Sequence, residues 1–339
     1  MVIPEQAARR VESQLTAAKI PGVGIVVIRD FEIADALYLG QADVSSARPV
    51  TEKTLFQAAS ISKPFCATIV HLLAACGNLS LDDDVNKLMT SWSLPDAGFG
   101  KPVTVRDVLS HTGGLGDGLG YPGYSPGESL PSPEQIVAGT GPSNHGPVFR
   151  DQPAGGEMKY SGGGYQLLQL VVEDVTGRSL AALEKELVFD PLGMSHSSHL
   201  DPVNTDDASR AHDEGGTADE HQWMRYPETA AAGLWTTPID LAKYVVELLN
   251  AHRGEGYSVI STDIAHAMAT PVGENHYGLG LEIQSSAFGH GGGNWGFSCS
   301  MMGIPKNGSG MVVMTNCWGV PTYEFISKVT DIISYAMDT

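Results

Sequence analysis

A serine and a lysine lie three positions apart in residues 58–65, which read Ala58-Ala59-Ser60-Ile61-Ser62-Lys63-Pro64-Phe65. If a helix begins here, the two side chains share a face, and the amine of Lys63 lies within reach of the hydroxyl of Ser60. Pro64 suits the first turn of a helix, where its missing N–H is not needed. Backbone N–H groups of that turn can stabilise an oxyanion. The segment therefore predicts a nucleophile, a base and part of an oxyanion hole.

The Ser-x-x-Lys spacing alone is weak support, because a chain of this composition contains it about once by chance. Lys63 is the only lysine preceded by serine at that spacing. The rest of the chain must therefore decide between a catalytic motif and an ordinary helix start.

Length and composition indicate a folded chain of two domains or one large, elaborated domain. The 339 residues are 42% hydrophobic, yet the sequence has no apolar run long enough to cross a bilayer. The first residues lead into an amphipathic helix and not into a charged and then apolar leader, so we expect a cytoplasmic protein.

The formal net charge is -19, from 39 acidic and 20 basic residues. Such a surface repels phosphate backbones and acidic lipids, so neither nucleic acid nor a membrane is expected as a partner. The four cysteines lack the spacing of a zinc site, and we predict reduced thiols, no metal and no cofactor. Cys66 and Cys76 share one predicted helix, too far apart along it to bond, whereas Cys299 lies on one predicted strand and Cys317 directly follows a neighbouring one.

Strands are predicted at both ends of the chain and helices in the middle. The predicted strands are Gly22–Ile28, Ile33–Leu39, Gly278–Gln284, Phe297–Ile304 and Gly310–Asn316. An apolar helix closes the chain. We therefore predict an α+β fold, an α/β sandwich in which an antiparallel sheet from both termini is flanked by helices and carries an inserted, mainly helical domain.

The predicted boundaries place residues 1–66 and 227–339 in the α/β domain and residues 67–226 in the helical domain, with the active site at the interface. Residues 111–157 are rich in glycine and proline and too numerous for an ordinary connection. We interpret them as substrate-facing loops, with a plain surface excursion as the alternative. The acidic stretch 201–220 is interpreted as a solvated excursion.

Two glycine-rich stretches are candidates for the rest of a site. One reads Met158-Lys159-Tyr160-Ser161-Gly162-Gly163-Gly164-Tyr165 and places a tyrosine just before an apolar helix. The other reads Gly289-His290-Gly291-Gly292-Gly293-Asn294-Trp295-Gly296-Phe297 and is predicted to join two strands. Missing side chains let backbone approach a ligand closely, although each stretch alone is also consistent with a simple turn.

Together the three stretches resemble the serine β-lactamase and penicillin-recognising superfamily, in particular its class C-like esterase and D-peptidase branch. Ser60-Ile61-Ser62-Lys63 matches the first box of that family, Tyr160-Ser161-Gly162 is similar to its Tyr-x-Asn box, and His290-Gly291-Gly292 is similar to its Lys-Thr-Gly or His-x-Gly box. The resemblance covers nearly the whole chain from Pro21 onwards. Further stretches that recur in that branch are Thr104–Leu115, Pro191–Met194, Ala231–Leu234 and Asp240–Ala242.

The resemblance implies a serine hydrolase that works through an acyl-enzyme on Ser60. Lys63 or Tyr160 would take the proton of Ser60, which requires a group with an ordinary pKa of about 10 to be deprotonated near neutral pH. By analogy, Tyr160 then protonates the leaving group and activates water. The N–H groups of Ser60 and Gly293 are expected to form the oxyanion hole.

Two departures from the family pattern bear on the substrate. Gly162 stands where the family usually has an amide-binding Asn, and His290 replaces a Lys that pairs with a carboxylate. His290 is mostly neutral above its usual pKa of about 6.5. We therefore favour carboxylic esters or small amides as substrates.

The alternatives are a D-amino-acid peptidase or amidase, a weak β-lactamase, an acyltransferase to an amine or alcohol, and a catalytically silent binding protein on this scaffold. The sequence makes no prediction of the oligomeric state.

Some remaining residues invite a functional interpretation. His111 lies in a shared His-Thr-Gly-Gly stretch, and we interpret it as structural. His196 and His199 have ligand-like spacing without the partners of a zinc site, so we interpret them as structural or exposed. The aromatic candidates for pocket walls, for which ordinary packing is equally consistent, are Trp295, Tyr121, Tyr124 and Trp235. The predicted substrate-binding set is Gly293, His290, Gly291, Gly292, Gly162 and Trp295.

Overall fold

A computed structural model describes residues 3–116, 121–201 and 206–338. The helices are α1 (Glu5–Ala17), α2 (Ser62–Ala75), α3 (Val85–Leu88), α4 (Val105–Leu109), α5 (Pro133–Ala138), α6 (Gly162–Thr176), α7 (Leu180–Glu184), α8 (Pro238–Arg253), α9 (Thr262–Ala269) and α10 (Val320–Asp338). A 3-10 turn, Ala59–Ile61, leads into α2, and a π turn, Lys185–Phe189, follows α7. The strands are β1 (Gly22–Arg29), β2 (Glu32–Asp43), β3 (Arg48–Pro49), β4 (Phe56–Gln57), β5 (Leu115–Gly116), β6 (Phe149–Arg150), β7 (Trp235–Thr236), β8 (Glu282–Gln284), β9 (Ala287–Asn294), β10 (Phe297–Ile304) and β11 (Ser309–Thr315).

One large antiparallel sheet organises the fold. Its seven strands lie in the order β3-β2-β1-β11-β10-β9-β8. The two ends of the sequence meet at its centre, where Val26 of β1 lies opposite Val312 of β11. The predicted antiparallel sheet from both termini, flanked by helices, is thereby confirmed.

Both faces of the sheet are covered, which explains the unbroken apolar run of β1. Successive side chains of a strand point to opposite faces. Val23, Ile25 and Val27 join the core that also contains α1 and α10. Val26 and Ile28 join the larger core on the other face, which includes α8.

Helix α8 begins with a side-chain cap and a proline. The Thr237 side chain accepts the N–H of Asp240 at 3.2 Å, and Pro238 occupies the first helical position. This cap satisfies a donor that would otherwise lack a partner at the helix end. Gly254, with a φ of 79°, ends the helix in a left-handed conformation that suits glycine.

Helix α2 is buried on almost all sides, because other helices surround it. The Phe65 ring lies 5.5 Å from that of Phe189, after α7, and 4.1 Å from that of Tyr244 on α8. The sheet layer and the helical part of the chain therefore share one core around α2. The turn that carries Ser60 is fixed at the start of this anchored helix.

Two strand predictions need correction. The predicted strand Gly278–Gln284 is limited to β8, because the chain from Gly278 to Leu281 turns tightly against α9, with the N–H of Leu279 bonded to the carbonyl of Ala267 at 3.1 Å. The stretch 289–297, predicted to join two strands, is itself mostly strand. Pairing with β10 compensates for the poor strand propensity of its glycines.

Three other expectations concern smaller features. Residues 117–120 of the predicted loop region and 202–205 of the acidic stretch lie outside the described residues. The four cysteines are free thiols. The predicted domain boundaries stay a prediction.

No helix among residues 3–116, 121–201 and 206–338 combines the length and the apolar character needed to span a membrane.

The close approach of β9 to the 3-10 turn makes the stability depend on a missing side chain. A Cβ at Gly292 would lie 2.3 Å from the carbonyl oxygen of Ala58, whereas a Cβ at Gly291 would meet its nearest atom at 3.9 Å. We expect Gly292→Ala to lower the free energy of unfolding by about 1–3 kcal/mol through overpacking, and Gly291→Ala to change it by less than about 0.5 kcal/mol. Urea denaturation of both variants measures this difference. Equal effects would contradict the packing argument.

Candidate active site

Ser60 lies in the 3-10 turn, two residues before α2 begins at Ser62. Ala59 adopts a left-handed conformation with a φ of 49°. Ser62 secures the turn, because its hydroxyl donates to the carbonyl of Ala59 at 2.7 Å and accepts the N–H of Leu234 at 3.0 Å. Ser60 thus sits at a bend that neighbouring segments hold in place, and it is partly open to solvent.

The side-chain amine of Lys63 is hydrogen-bonded to the hydroxyl of Ser60. Its Nζ donates to Ser60 Oγ at 3.0 Å and to the carbonyl of Ala231 at 2.9 Å. Lys63 is only 2% exposed. A buried amine requires acceptors, and here one of its acceptors is the candidate nucleophile.

Tyr160 approaches the same amine from the segment before α6. Its ring centroid lies 4.9 Å from Nζ of Lys63 and 4.4 Å from the ring of His111. The next residue, Ser161, caps α6 by accepting the N–H of Gly164 at 2.9 Å. Gly162 is the first residue of α6 and is buried. The predicted Ser60, Lys63 and Tyr160 are therefore neighbours in space.

Strand β9 supplies the backbone on the other side of Ser60. Trp295 and Gly296 connect β9 to β10, so Asn294 and Phe297 form the hydrogen-bonded pair that closes the hairpin. Hydrogen-bonded and non-hydrogen-bonded pairs alternate along antiparallel strands. Gly293 and Ser298 are therefore a non-hydrogen-bonded pair, and the N–H of Gly293 points away from β10. Strand β8 pairs with Ala287–Gly289, and Gly293 lies beyond that pairing.

The side chain of His290 is buried and points into the protein. Its Nε2 lies 3.0 Å from the hydroxyl of Tyr277, and its Nδ1 lies 2.6 Å from the carbonyl of Gly291. Burial, with the positive charge of Lys63 nearby, lowers the pKa of His290 to about 3. The ring is therefore neutral at pH 7, with Nδ1 donating and Nε2 accepting.

A cavity of about 590 Å³ opens beside Tyr160. Its lining is Glu157, Met158, Tyr160, Glu274, Asn275, His276 and Glu282. Burial raises the pKa of Glu282, and the charges of His276 and Lys63 oppose that shift. Three carboxyl groups thus give this side of the site an acidic character.

Comparison with known proteins assigns the chain to a family. The family described as beta-lactamase matches residues 7–327. The chain belongs to the beta-lactamase family. The predicted resemblance is thereby confirmed.

Several relatives within and around the beta-lactamase family are similar to this chain. The unguisins hydrolase UngD of Aspergillus violaceofuscus is 28% identical over 91% of this chain and 60% of its own length. The esterase EstB of Burkholderia gladioli is 32% identical over 54% of this chain and 48% of its own length. The structure of an octameric penicillin-binding protein homologue from Pyrococcus abyssi aligns with a TM-score of 0.78 at 26% identity, covering 97% of this chain and 77% of the other.

These beta-lactamase relatives include proteins named as hydrolase, esterase and penicillin-binding protein. The chain spans between about half and two thirds of the length of the first curated relatives it matches. The antiparallel sheet with its helices is the fold that this family shares with the structural neighbours.

The predicted aromatic walls of this beta-lactamase-family site divide into two groups. Trp295 is 40% exposed, and its indole Nε1 donates to Asp219 at 2.8 Å. Trp235 and Tyr124 are buried and serve packing, and the ring of Tyr121 lies edge-on against His145 at 5.0 Å.

The histidines at positions 196 and 199 lie outside this cluster. The backbone N–H of His196 donates to Asp240 at 2.8 Å, and the ring of His199 bonds to buried Glu184. Among the described residues, no group of three or more His, Cys, Asp or Glu side chains is placed to hold a metal ion.

Sequence reasoning assigned no part in the site to three residues that contribute to its geometry. The carbonyl of Ala231 accepts from Lys63, and Tyr277 bonds to His290. The ring of His111, which we interpreted as structural from the sequence, packs against that of Tyr160 at 4.4 Å. Ala231 lies in a stretch already singled out for its resemblance, which was an available signal. Tyr277 carries no local signal, because its partner is 13 residues away and the pairing depends on the fold.

The low pKa of His290 predicts a pH-dependent stability. Unfolded His290 takes up a proton below about pH 6.5, whereas the folded ring resists protonation down to about pH 3. This contribution to stability is present above pH 6.5 and is lost as the pH falls towards 3, by about 1.4 kcal/mol per pH unit. We expect His290→Gln to lose less stability than wild type between pH 7 and pH 5, as measured by urea denaturation at each pH. Parallel pH profiles for the two proteins would refute this account.

Proposed function

We propose that this chain is a serine hydrolase that forms an acyl-enzyme on Ser60 and acts on carboxylic esters or small amides. The observation that carries the proposal is the 3.0 Å hydrogen bond from the buried amine of Lys63 to the hydroxyl of Ser60. A hydroxyl becomes an effective nucleophile when a neighbouring group can take its proton. Membership of the beta-lactamase family supports the same chemistry.

In the proposed acylation, Ser60 Oγ bonds to the substrate carbonyl carbon while its proton passes to Lys63 or Tyr160. The carbonyl oxygen becomes an oxyanion, which the N–H groups of Ser60 and Gly293 stabilise, each worth about 10²–10³ in rate. Tyr160 gives a proton to the leaving group as the bond to the carbonyl carbon breaks. The acyl group remains on Ser60 as an ester.

In the proposed deacylation, Tyr160 takes a proton from water, and the resulting hydroxide bonds to the acyl carbon. A second oxyanion forms in the same hole. Its collapse breaks the bond to Ser60 Oγ, which takes back the proton held by Lys63 or Tyr160, and the carboxylic acid leaves. An alcohol or amine in place of water would give acyl transfer by the same steps.

The charge around the site supports neutral or cationic substrates. His290 is neutral and bonded to Tyr277, so the segment His290-Gly291-Gly292 offers no cation to a substrate carboxylate. Beyond Tyr160 the cavity is lined by Glu157, Glu274 and Glu282. Because the protein also carries a net charge of -19, anionic β-lactams are disfavoured. The acidic cavity favours, as a second candidate, an amidase for substrates with a free amine, such as D-amino-acid amides.

Removal of the nucleophile tests the proposal most directly. We expect Ser60→Ala to abolish turnover of p-nitrophenyl butyrate, nitrocefin and D-alanyl p-nitroanilide, together with any acyl adduct that intact-protein mass spectrometry detects on the wild type. Tyr160→Phe should lower kcat by at least about 10²-fold, because the phenol is the proposed proton carrier.

Three results would argue against these roles. Residual activity in Ser60→Ala would show that another residue is the nucleophile. A wild-type rate in Tyr160→Phe would leave Lys63 as the base. Failure of every probe to react with the wild type would favour a silent binding protein.

Substrate charge provides a separate prediction. Among p-nitrophenyl esters of equal acyl length, we expect kcat/KM to rank cationic above neutral above anionic. Glu282→Gln should lower the cationic-to-neutral ratio by about fivefold, which corresponds to loss of about 1 kcal/mol of screened attraction. Glu12→Gln, on α1 across the sheet, is the matched control and should leave that ratio unchanged. An unchanged ratio in Glu282→Gln, or an equal change in both variants, would contradict recognition of charge by the cavity.

A further inference from the structure

His111 adopts a backbone conformation that is costly for a histidine. It follows the short helix α4 with a φ of 58°, in the left-handed region. This region disfavours residues with a Cβ by about 1–2 kcal/mol. The side chain is also buried, with 2% exposure. A strained and buried residue persists when its surroundings hold it there, and such residues cluster at functional sites.

His111 accepts hydrogen bonds from the two residues that flank Tyr160. The carbonyl of His111 accepts the N–H of Lys159 at 2.8 Å. Its Nδ1 accepts the N–H of Ser161 at 3.1 Å. Lys159 and Ser161 are the residues on either side of Tyr160, so a single residue fixes the backbone both before and after the tyrosine.

The imidazole ring also contacts the tyrosine itself. The ring centroids of His111 and Tyr160 are 4.4 Å apart at an angle of 35°, closer than the approach of His290 at 6.1 Å or Tyr277 at 6.5 Å. Tyr160 is 42% exposed, with the acidic cavity on its open side. His111 therefore makes the shortest of these three ring contacts to Tyr160, on the side of the phenol away from the cavity.

The bond to Ser161 requires a neutral imidazole, because Nδ1 must keep its lone pair to accept an N–H. Burial lowers the pKa of His111 well below 6.5, and the charges of Lys63 and His290 act in the same direction. The titratable groups that face the ring are Lys63, Tyr160, Tyr165, Tyr277 and His290. The accepting form of His111 is therefore the one present at neutral pH.

We propose that His111 is a positioning residue that holds the Tyr160 phenol beside the amine of Lys63 and the hydroxyl of Ser60. This inference rests on the proposed role of Tyr160 as proton carrier. The left-handed backbone is what allows the carbonyl and the side chain of one residue to reach both neighbours of Tyr160. The 4.9 Å separation between the Tyr160 ring and the amine of Lys63 then depends on His111.

A double-mutant cycle on the full chain separates positioning from general stability. His111→Ala removes the ring and its acceptor, and we expect kcat for p-nitrophenyl butyrate to fall by about 10²-fold, as for a reacting group displaced by about 1 Å. In a Tyr160→Phe background the same substitution should lower kcat by less than about threefold, because the phenol it positions is absent.

A second variant keeps the test independent of folding. Asn tolerates a left-handed backbone and offers an amide oxygen near the position of Nδ1. His111→Asn should therefore recover kcat to within about tenfold of wild type. His71→Asn is the matched control, because His71 is a buried histidine of α2 whose Nε2 bonds to the carbonyl of Leu279, between α9 and β8. It should lower Tm without changing the dependence on Tyr160.

The outcomes are distinguishable. A similar fold-loss from His111→Ala in both backgrounds would overturn the proposal in favour of a structural role, as would wild-type kcat in His111→Ala. His111→Asn as impaired as His111→Ala would overturn the assignment of the Nδ1 acceptor. Wild-type kcat in Tyr160→Phe alone would instead remove the proposed function of Tyr160, on which this inference rests.

Discussion

The hydrogen bond between the buried amine of Lys63 and the hydroxyl of Ser60 is the interaction on which the site depends. An amine at 2% exposure must be given acceptors by the protein, because water no longer supplies them. Ser60 is one acceptor, and the carbonyl of Ala231, from a turn 168 residues further along the chain, is another. That turn is stiff, since the carbonyl of Glu228 accepts the N–H groups of Ala231, Ala232 and Gly233. These bonds hold the amine between the turn that carries Ser60 and the turn that contains Ala231.

The need to place acceptors and neighbours around the buried amine of Lys63 accounts for the unusual backbone conformations near the site. Ala59 and His111 both adopt left-handed conformations, with φ values of 49° and 58°. The conformation of Ala59 bends the chain just before α2, so that the hydroxyl of Ser60 faces the amine of Lys63. The conformation of His111 brings that residue into contact with Lys159 and Ser161, the two neighbours of Tyr160. Burial and hydrogen bonds around these residues compensate for the local cost. The glycines of β9 contribute in the opposite way, because Gly292 has no side chain to keep β9 away from the turn.

The segment His290-Gly291-Gly292 has a histidine where the related box of the family can have a lysine. His290 is directed into the protein and bonded to Tyr277, so its ring holds the strand in place. Gly293, three residues later, has its N–H directed away from β10. The side chain of His290 is therefore occupied inside the protein, while β9 still lies against the turn that carries Ser60.

The sequence by itself determined the antiparallel sheet from both termini and the three stretches that meet near Ser60. These features are local, because apolar patterning and the Ser-x-x-Lys spacing are encoded within a few residues. Only the tertiary structure decided that residues 289–294 form a strand, since their glycines gain order by pairing with β10. It also decided the contacts of Ala231, Tyr277 and His111, because each meets a partner distant in sequence. Such contacts leave no periodic trace in the chain, and the folded core alone brings the partners together.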